Sequence, residues 1–484
     1  MIIGRNQEQK IFAQLWQSNK SEFMALYGRR RIGKTFLIRE YFAHKPDCCY
    51  FEASGIKDGK TKAQLEIFAH SLAKVFYHHA PIKTPHNWQE AFSFLTTEIQ
   101  KNTSKKMVVF LDELPWLATR RSGLIQALDY YWNNYWYKIT NLKIIVCGSA
   151  ASWILNHLIN AKGGLHNRLT RTLLLQPFNL YTTKIFLEAK GCKLTAKQIL
   201  DLYLVTGGVP FYLEQIHPTL SIAQNVQQLC FAENGVLLHE FPRLFKSLFD
   251  NAAISRKIMT LIAAKRYGMA RDTLLQQLKI TSGGWINDKI TELEAAGFIM
   301  HFYPYGKKKD VHYRVIDEYS LFYLRWIEPE MHTGYRFSHN HWLNLMKSPA
   351  YLSWTGYSFE TICFKHFEQI QHALSLSKIS CKTANWSCRT LSKDETGAQI
   401  DLLFDRADDA ITLCEIKYVG NHQFKIDKDY AKNLINKVDV FKTETGTKKQ
   451  VFLVLVTTFG LAHNLYSQDL IQQVVTLDDL LVEI

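Results

Sequence analysis

Three places in this sequence put reactive side chains where phosphate chemistry would need them. The first is Gly28-Arg29-Arg30-Arg31-Ile32-Gly33-Lys34-Thr35, between the apolar Phe23–Tyr27 and a run of apolar residues at helical spacing. Such a loop cradles an anion with backbone N–H groups, and the start of the following helix adds its positive pole. Lys34 would reach the β- and γ-phosphates of a nucleoside triphosphate, and the Thr35 hydroxyl would ligate Mg²⁺. The second place is "MVVFLDELPWL", Met107 to Leu117, an apolar strand ending in two acids. Asp112 would bind Mg²⁺ directly or through water, and Glu113 would polarise an attacking water. Ser149 closes a third apolar strand, "KIIVCGSAAS", where it would sense the γ-phosphate, although Gly-Ser is also ordinary loop chemistry. The third place is near the C-terminus, where Asp401 lies in "AQIDLLF" and Glu415 and Lys417 in "ITLCEIKY".

These last two runs are predicted strands on either side of "DRADDA". With the turn centred near Asp408, paired residue numbers sum to 816, which sets Asp401 directly opposite Glu415. Like charges opposed across a ladder destabilise it. At about 4 Å and an effective dielectric of about 20, the repulsion is on the order of 4 kcal/mol. A divalent cation would offset it, with Asp401 and Glu415 as ligands to Mg²⁺ or Mn²⁺. Lys417, two residues on and on the same face, would position a water or stabilise developing phosphorane charge. The other reading is a surface hairpin in which Glu415 simply pairs with Lys417, a contact worth little.

The elements that must position these residues follow from periodicity. Strands alternate with amphipathic helices through the first third, which predicts a parallel sheet with its ligand at the strand C-termini. From Ile254 the pattern is three short helices and then two strands around Gly306-Lys307-Lys308-Lys309-Asp310. That order is expected to form a winged helix-turn-helix, whose third helix would enter a major groove and whose lysines would touch phosphates. Its helix carries Asp288, Glu292 and Glu294 against Lys289, so a protein-binding or lid role is the competing expectation.

The 484 residues exceed one core, and 47% are hydrophobic, which excludes a disordered chain. The formal net charge of +14 points to nucleic acid or another polyanion. No apolar run reaches membrane-spanning length, and "MIIGRNQEQK" lacks the regions of a signal peptide. The nine cysteines show no metal-ligand spacing and read as reduced thiols. A cytoplasmic location is therefore expected, with nucleic acid as the partner, DNA favoured, no membrane, and self-association left open.

"IIGRNQEQKIF", "YGRRRIGKTFLI", "VVFLDELPWL", "IIVCGSAASWI" and "VTGGVPFYL" occur in this order. Together they resemble the archaeal-type ATPases within the STAND branch of AAA+ proteins. The resemblance implies ATP with Mg²⁺, and an adenine site beside Gly4, Arg5 and Glu8. It also implies a lid turn facing the nucleotide at Gly207, Gly208 and Pro210. "GGLHNRLTRTLLLQPF" resembles the segment with a sensing or finger arginine, Arg168 being the closer match and Arg171 the second. The family usually has Gly-Arg at Asn167-Arg168, and each arginine reads equally as a surface cation. The Asp401, Glu415, Lys417 set resembles the PD-(D/E)xK nuclease superfamily, although Ile400 stands where a proline is usual. In related nucleases a glutamate on the preceding helix completes the metal site, which matches Glu360 in "GYSFETICFKHF".

The expected architecture is a multidomain α/β chain. Residues 1–178 would form a P-loop AAA+ core, 179–250 a helical lid, 251–345 the winged helix, and 346–484 an α/β domain like those of restriction endonucleases. The expected function is an ATP hydrolase coupled to a metal-dependent nuclease-like domain. The alternative is an ATP-switched DNA- or protein-binding regulator with an inactive nuclease fold.

Overall fold

The computed structural model describes residues 1–102, 104–160, 168–280, 283–307, 309–331, 337–338, 340–388 and 397–484. Asn167 and Lys308 lie outside the described residues. The chain divides into two compact units. The first holds Met1–Pro177, Ser247–Asp250 and Thr291–Gly297; the second holds Phe178–Lys246, Asn251–Ile290 and Phe298–Ile484.

The first unit is built on a five-stranded parallel sheet. Its strands are β1 (Glu22–Tyr27), β2 (Cys48–Ser54), β3 (Lys106–Asp112), β4 (Leu142–Gly148) and β5 (Arg171–Leu174), in the order β2-β3-β4-β1-β5. β4 is buried along its whole length, and β3 from Met107 on. Continuous apolar runs of this kind suit a parallel sheet covered on both faces. Successive side chains alternate between the faces. Ala25, Val109, Leu111, Ile144 and Val146 enter one core with Phe51, Trp88 and Phe92. Met24, Leu26, Val108, Phe110 and Ile145 enter the other with Phe12, Ile38 and Phe42. Because β4 lies between β1 and β3, the residues ending these three strands line up along one edge of the sheet.

The second unit begins with helices, including Leu180–Ala189 and Ala196–Thr206. The latter starts with a reciprocal capping box between Thr195 and Gln198. Next come the helices Ala252–Ala263 and Arg271–Leu278 and a three-stranded antiparallel sheet. Its strands are β6 (Met269–Ala270), β7 (Ile299–Phe302) and β8 (His312–Val315), with β8 in the centre.

The C-terminal part is a separate mixed sheet in the order β13-β12-β11-β10-β9. It comprises β9 (Cys381–Cys388), β10 (Ala398–Arg406), β11 (Ala410–Lys417), β12 (Gln450–Thr457) and β13 (Gln473–Thr476). β9, β10 and β11 run antiparallel; β11, β12 and β13 run parallel. The crossover from β11 to β12 is the helix Lys428–Thr445, as a parallel pair requires. Its Leu434 and Phe441 pack on Leu403, Ile411, Leu413 and Leu455. The hairpin register is the expected one: Leu402 pairs with Cys414, Leu403 with Leu413 and Asp405 with Ile411. Among the described residues no helix is long and apolar enough to cross a membrane.

Candidate nucleotide site and carboxylate cluster

In the first unit, β1 leads into the loop Gly28–Gly33 and then the helix Lys34–Phe42. The loop turns through positive φ at Gly28 (143°), Arg31 (71°) and Gly33 (87°). Gly28 has no substitute, since a Cβ there would lie 2.4 Å from the Leu175 carbonyl oxygen. Lys34 is buried, and its ammonium donates to the carbonyls of Gly28 and Arg29, both at 2.8 Å. The Thr35 hydroxyl donates to Asp112 Oδ2 at 2.9 Å, so two hard oxygen ligands meet at the mouth of the loop. Burial, then the neighbouring Glu113, raises the Asp112 pKa. Glu113 Oε2 accepts from both the backbone N–H (3.0 Å) and the hydroxyl (2.9 Å) of Ser149. The sheet order thus brings together Lys34, Thr35, Asp112, Glu113 and Ser149. These residues fit Mg²⁺ with a nucleoside triphosphate: a loop too close for a Cβ, a helix start, a buried lysine and paired oxygen ligands.

Arg5 also reaches this loop. Its guanidinium donates to Glu8 Oε1 at 2.9 Å and to the Ile32 carbonyl at 3.3 Å. Arg168 does not. It lines a cavity of about 670 Å³ with Lys20, Trp132 and Tyr137, beside the residues that precede β1. That is the opposite edge of the sheet from the loop after β1. Arg171 opens β5 and faces Glu22, the first residue of β1, at 3.8 Å. The expected sensing or finger arginine is thus not beside the loop in this chain: Arg171 opens β5 and Arg168 precedes it, which puts both at the edge where the parallel strands begin. Pro210 lies in the second unit, where it starts the helix Pro210–Glu214 after Gly207 and Gly208.

In the second unit, Asp401 and Glu415 occupy the charged end of the β10–β11 hairpin. Glu415 is buried, and its oxygens accept from Tyr430 Oη at 2.6 Å and Lys437 Nζ at 2.7 Å. Lys417 Nζ lies 3.1 Å away. Burial opposes the charge of Glu415, but Lys437 and Lys417 outweigh it and hold the pKa below the ordinary value. Asp401 accepts from Gln399 at 3.0 Å and from the Ile416 N–H at 3.4 Å. Burial first, then the charges of Glu360 and Glu415, push its pKa up to about 7. Glu360 projects from the helix Pro349–Lys365 and is paired with Arg266. Arg314, buried on β8, rests against the rings of Phe302 and Phe364 and adds positive potential at Glu360 and Asp401.

The metal expectation for Glu360, Asp401 and Glu415 needs correction here. Glu360 and Glu415 are each close enough to act on the charge of Asp401. Among the described residues, however, no group of three His, Cys, Asp or Glu side chains is gathered tightly enough to hold a metal ion. Arg266 meets the charge of Glu360, and Lys437 and Lys417 that of Glu415, while at Asp401 the repulsion persists and shows in its raised pKa. The oxygen donors suit Mg²⁺ or Mn²⁺ chemically, but their placement in this conformation does not. Sequence reasoning missed Tyr430, Lys437, Arg266 and Arg314. Tyr430, Leu434, Lys437 and Phe441 share one helical stripe by their spacing, and a lysine on an apolar stripe is a readable signal. The arginines carry none.

Residues 3–216 match the family described as "ATPase domain predominantly from Archaea", so this part of the chain is an archaeal-type ATPase domain. An uncharacterized protein of Methanocaldococcus jannaschii is 24% identical over 335 residues, covering 68% of this chain and 70% of that protein. An uncharacterized ATP-binding protein of the same organism is 40% identical over 45 residues, 9% of this chain and 76% of that protein. Among solved structures, the Walker-type ATPase of Pyrococcus abyssi is similar with a TM-score of 0.48 and 17% identity, covering 67% of this chain and 96% of that one.

Proposed function

We propose that the protein binds ATP with Mg²⁺, hydrolyses it, and couples that cycle to a nuclease-like domain acting on nucleic acid, DNA favoured. The observation that carries the ATPase reading is the pairing of Thr35 with Asp112 beside Lys34, with Glu113 held by Ser149. Thr35 and Asp112 would hold Mg²⁺, which supplies charge neutralisation between the phosphates when bound. The loop N–H groups and Lys34 bind and orient the phosphates. Glu113 orients the attacking water, and Ser149 fixes the direction of that carboxylate. Arg168 stands at the edge away from its own loop, so it could serve as a finger only towards a second copy. This is the ground for self-association.

The helices and antiparallel sheet between Ala252 and Val315 are read as a winged helix whose lysine hairpin touches phosphates. The C-terminal sheet, with Asp401, Glu415 and Lys417 at one hairpin end, is read as the nuclease-like domain. The buried free thiols of Cys147, Cys230, Cys363 and Cys414 accord with a reducing cytoplasm. A second reading has a specific observation in its favour. Glu360 and Glu415 already carry cations of the chain, as they would in a binding regulator with an inactive nuclease fold.

Two measurements test these readings. Lys34→Ala should abolish ATP binding, whereas Glu113→Gln should keep binding and stop turnover; equal affinity in wild type and Lys34→Ala would refute the nucleotide site. Plasmid nicking with Mg²⁺ or Mn²⁺, with and without ATP, separates the catalytic from the regulatory reading. Nicking lost in Asp401→Asn supports the first, and no nicking under any condition supports the second.

A further inference from the structure

Residues 129–138 read "DYYWNNYWYK", six aromatic side chains in ten residues. They close the helix Leu124–Asn134 and form the single turn Trp136–Lys138 after it. Core packing accounts for three of the rings: Tyr131, Trp132 and Trp136 are buried in one core of the parallel sheet. Trp136 is fully buried, and its Nε1–H donates to Thr96 Oγ1 at 2.8 Å, which anchors the turn. Tyr130, Tyr135 and Tyr137 are exposed, so the core does not explain them. Tyr137, 51% exposed, lines the cavity of about 670 Å³ already described where the parallel strands begin.

The walls of this cavity are fixed by the fold. Lys20 and Ser21 line it from the segment that enters β1. Lys143, buried on β4, donates to the carbonyls of Ser18 (2.9 Å) and Lys20, which ties that segment to the sheet. Trp132 forms another wall, its ring 5.0 Å from that of Phe23 on β1. The Ser21 hydroxyl is buried and has no hydrogen-bond partner among the described residues. A buried hydroxyl left unpaired is costly, so a polar group entering the cavity would find a bond to make.

The charge around the cavity is positive. Lys20 and Arg168 line it, and Lys138 Nζ lies 5.4 Å from the centroid of the Tyr137 ring. Two neighbouring carboxylates are already engaged. Glu22 accepts from Thr170 and faces Arg171 at 3.8 Å, and Asp129 Oδ1 accepts from Asn133 Nδ2 at 2.6 Å. An exposed ring in a concave, cationic site suits a single-stranded nucleic acid: each base offers a face for stacking, and the backbone follows the positive groove. Bases stacked inside a duplex have no such face to offer. We propose that this cavity takes single-stranded nucleic acid, with a base stacked on Tyr137 and phosphates against Lys20 and Lys138. The site is distinct from the lysine hairpin of residues 306–310, and it rests on the reading of the protein as one that acts on nucleic acid.

The test is fluorescence anisotropy of a short labelled oligothymidylate, and of a labelled DNA duplex, titrated with the full chain without ATP. Tyr137→Ala should weaken oligothymidylate binding at least about fivefold, the lower end of what one stacked base contributes. Tyr137→Phe keeps the ring and should stay within about twofold of wild type. Lys20→Ala should lower the slope of log affinity against log salt by about 0.7, the share of one phosphate on a single strand, and Tyr137→Ala should leave that slope unchanged. ATP binding by all three variants should match wild type, which reports that they are folded, and duplex affinity should not change in Tyr137→Ala. Equal oligothymidylate affinity in wild type and Tyr137→Ala overturns the site, and duplex binding then keeps the nucleic-acid reading standing. A loss in Tyr137→Phe as large as in Tyr137→Ala overturns it as well, because stacking would not be the source of affinity. So does a loss accompanied by a change in sedimentation, which would make this surface a contact between copies. Wild type that binds neither probe ends the nucleic-acid reading, and this site with it.

Discussion

Asp401 is the residue whose surroundings ask most of it. Burial, with Glu360 and Glu415 nearby, lifts its pKa to about 7. An unfolded aspartate ionises at about 3.9. Between about pH 4 and 7 the unfolded chain therefore releases a proton that the folded chain keeps. The folded state binds more protons over that window, so stability at this group falls as pH rises through it. Asp401→Asn removes the group and its pH dependence. In metal-free protein, the melting temperature of the variant should rise relative to wild type from about pH 5 to about pH 7.5. A constant difference across that range would mean that Asp401 is not held protonated.

At the scale of elements, what could be read in advance depended on how far apart the partners lie. The loop Gly28–Thr35 and the acids after β3 were legible because each is a strand end followed by turn chemistry, all within a few residues. The β10–β11 register was legible because a short polar turn between two apolar strands leaves one pairing that buries Leu403 and Leu413 together. The partners of Glu415 were half legible. Tyr430 and Lys437 follow the spacing of the helix stripe, but nothing local says which strand that stripe covers. The pairing of Arg266 with Glu360 was not legible, since it spans 94 residues and leaves no periodic trace. The helix–strand contact has its own consequence. Lys437→Met leaves Glu415 buried with Lys417 and Tyr430 alone, and should cost about 2–4 kcal/mol. Adding Glu415→Met removes the stranded charge and should recover most of that loss, since apolar replacement of a buried pair is often neutral. Denaturant titration of the two variants decides it. A double variant less stable than Lys437→Met would show that Glu415 supports the fold through something other than its cations.

For the whole molecule the dominant fact is charge. A formal net charge of +14 favours encounter with polyanions over polycations irrespective of fold. If the lysine hairpin after β7 carries contact to phosphates, binding should be mostly counterion release. Lys307 is suited to this: its side chain is 61% exposed, and its contact with Asp310 at 3.4 Å is a surface pair of small worth. Lys309 follows in the same turn, and Lys308 lies outside the described residues. Each phosphate neutralised on duplex DNA adds roughly 0.9 to the slope of log affinity against log salt. Replacing Lys307, Lys308 and Lys309 together by alanine should lower that slope by about 2–3 and weaken binding uniformly across sequences, because phosphate contacts carry no base information. Lys34→Ala, measured without nucleotide, is the control: it removes one charge buried in a loop, so the slope should not move. A triple variant with wild-type affinity and slope would take the hairpin out of the interface. The binding charge would then have to lie on another surface, and the helices and sheet of residues 252–315 would be left as a connecting module.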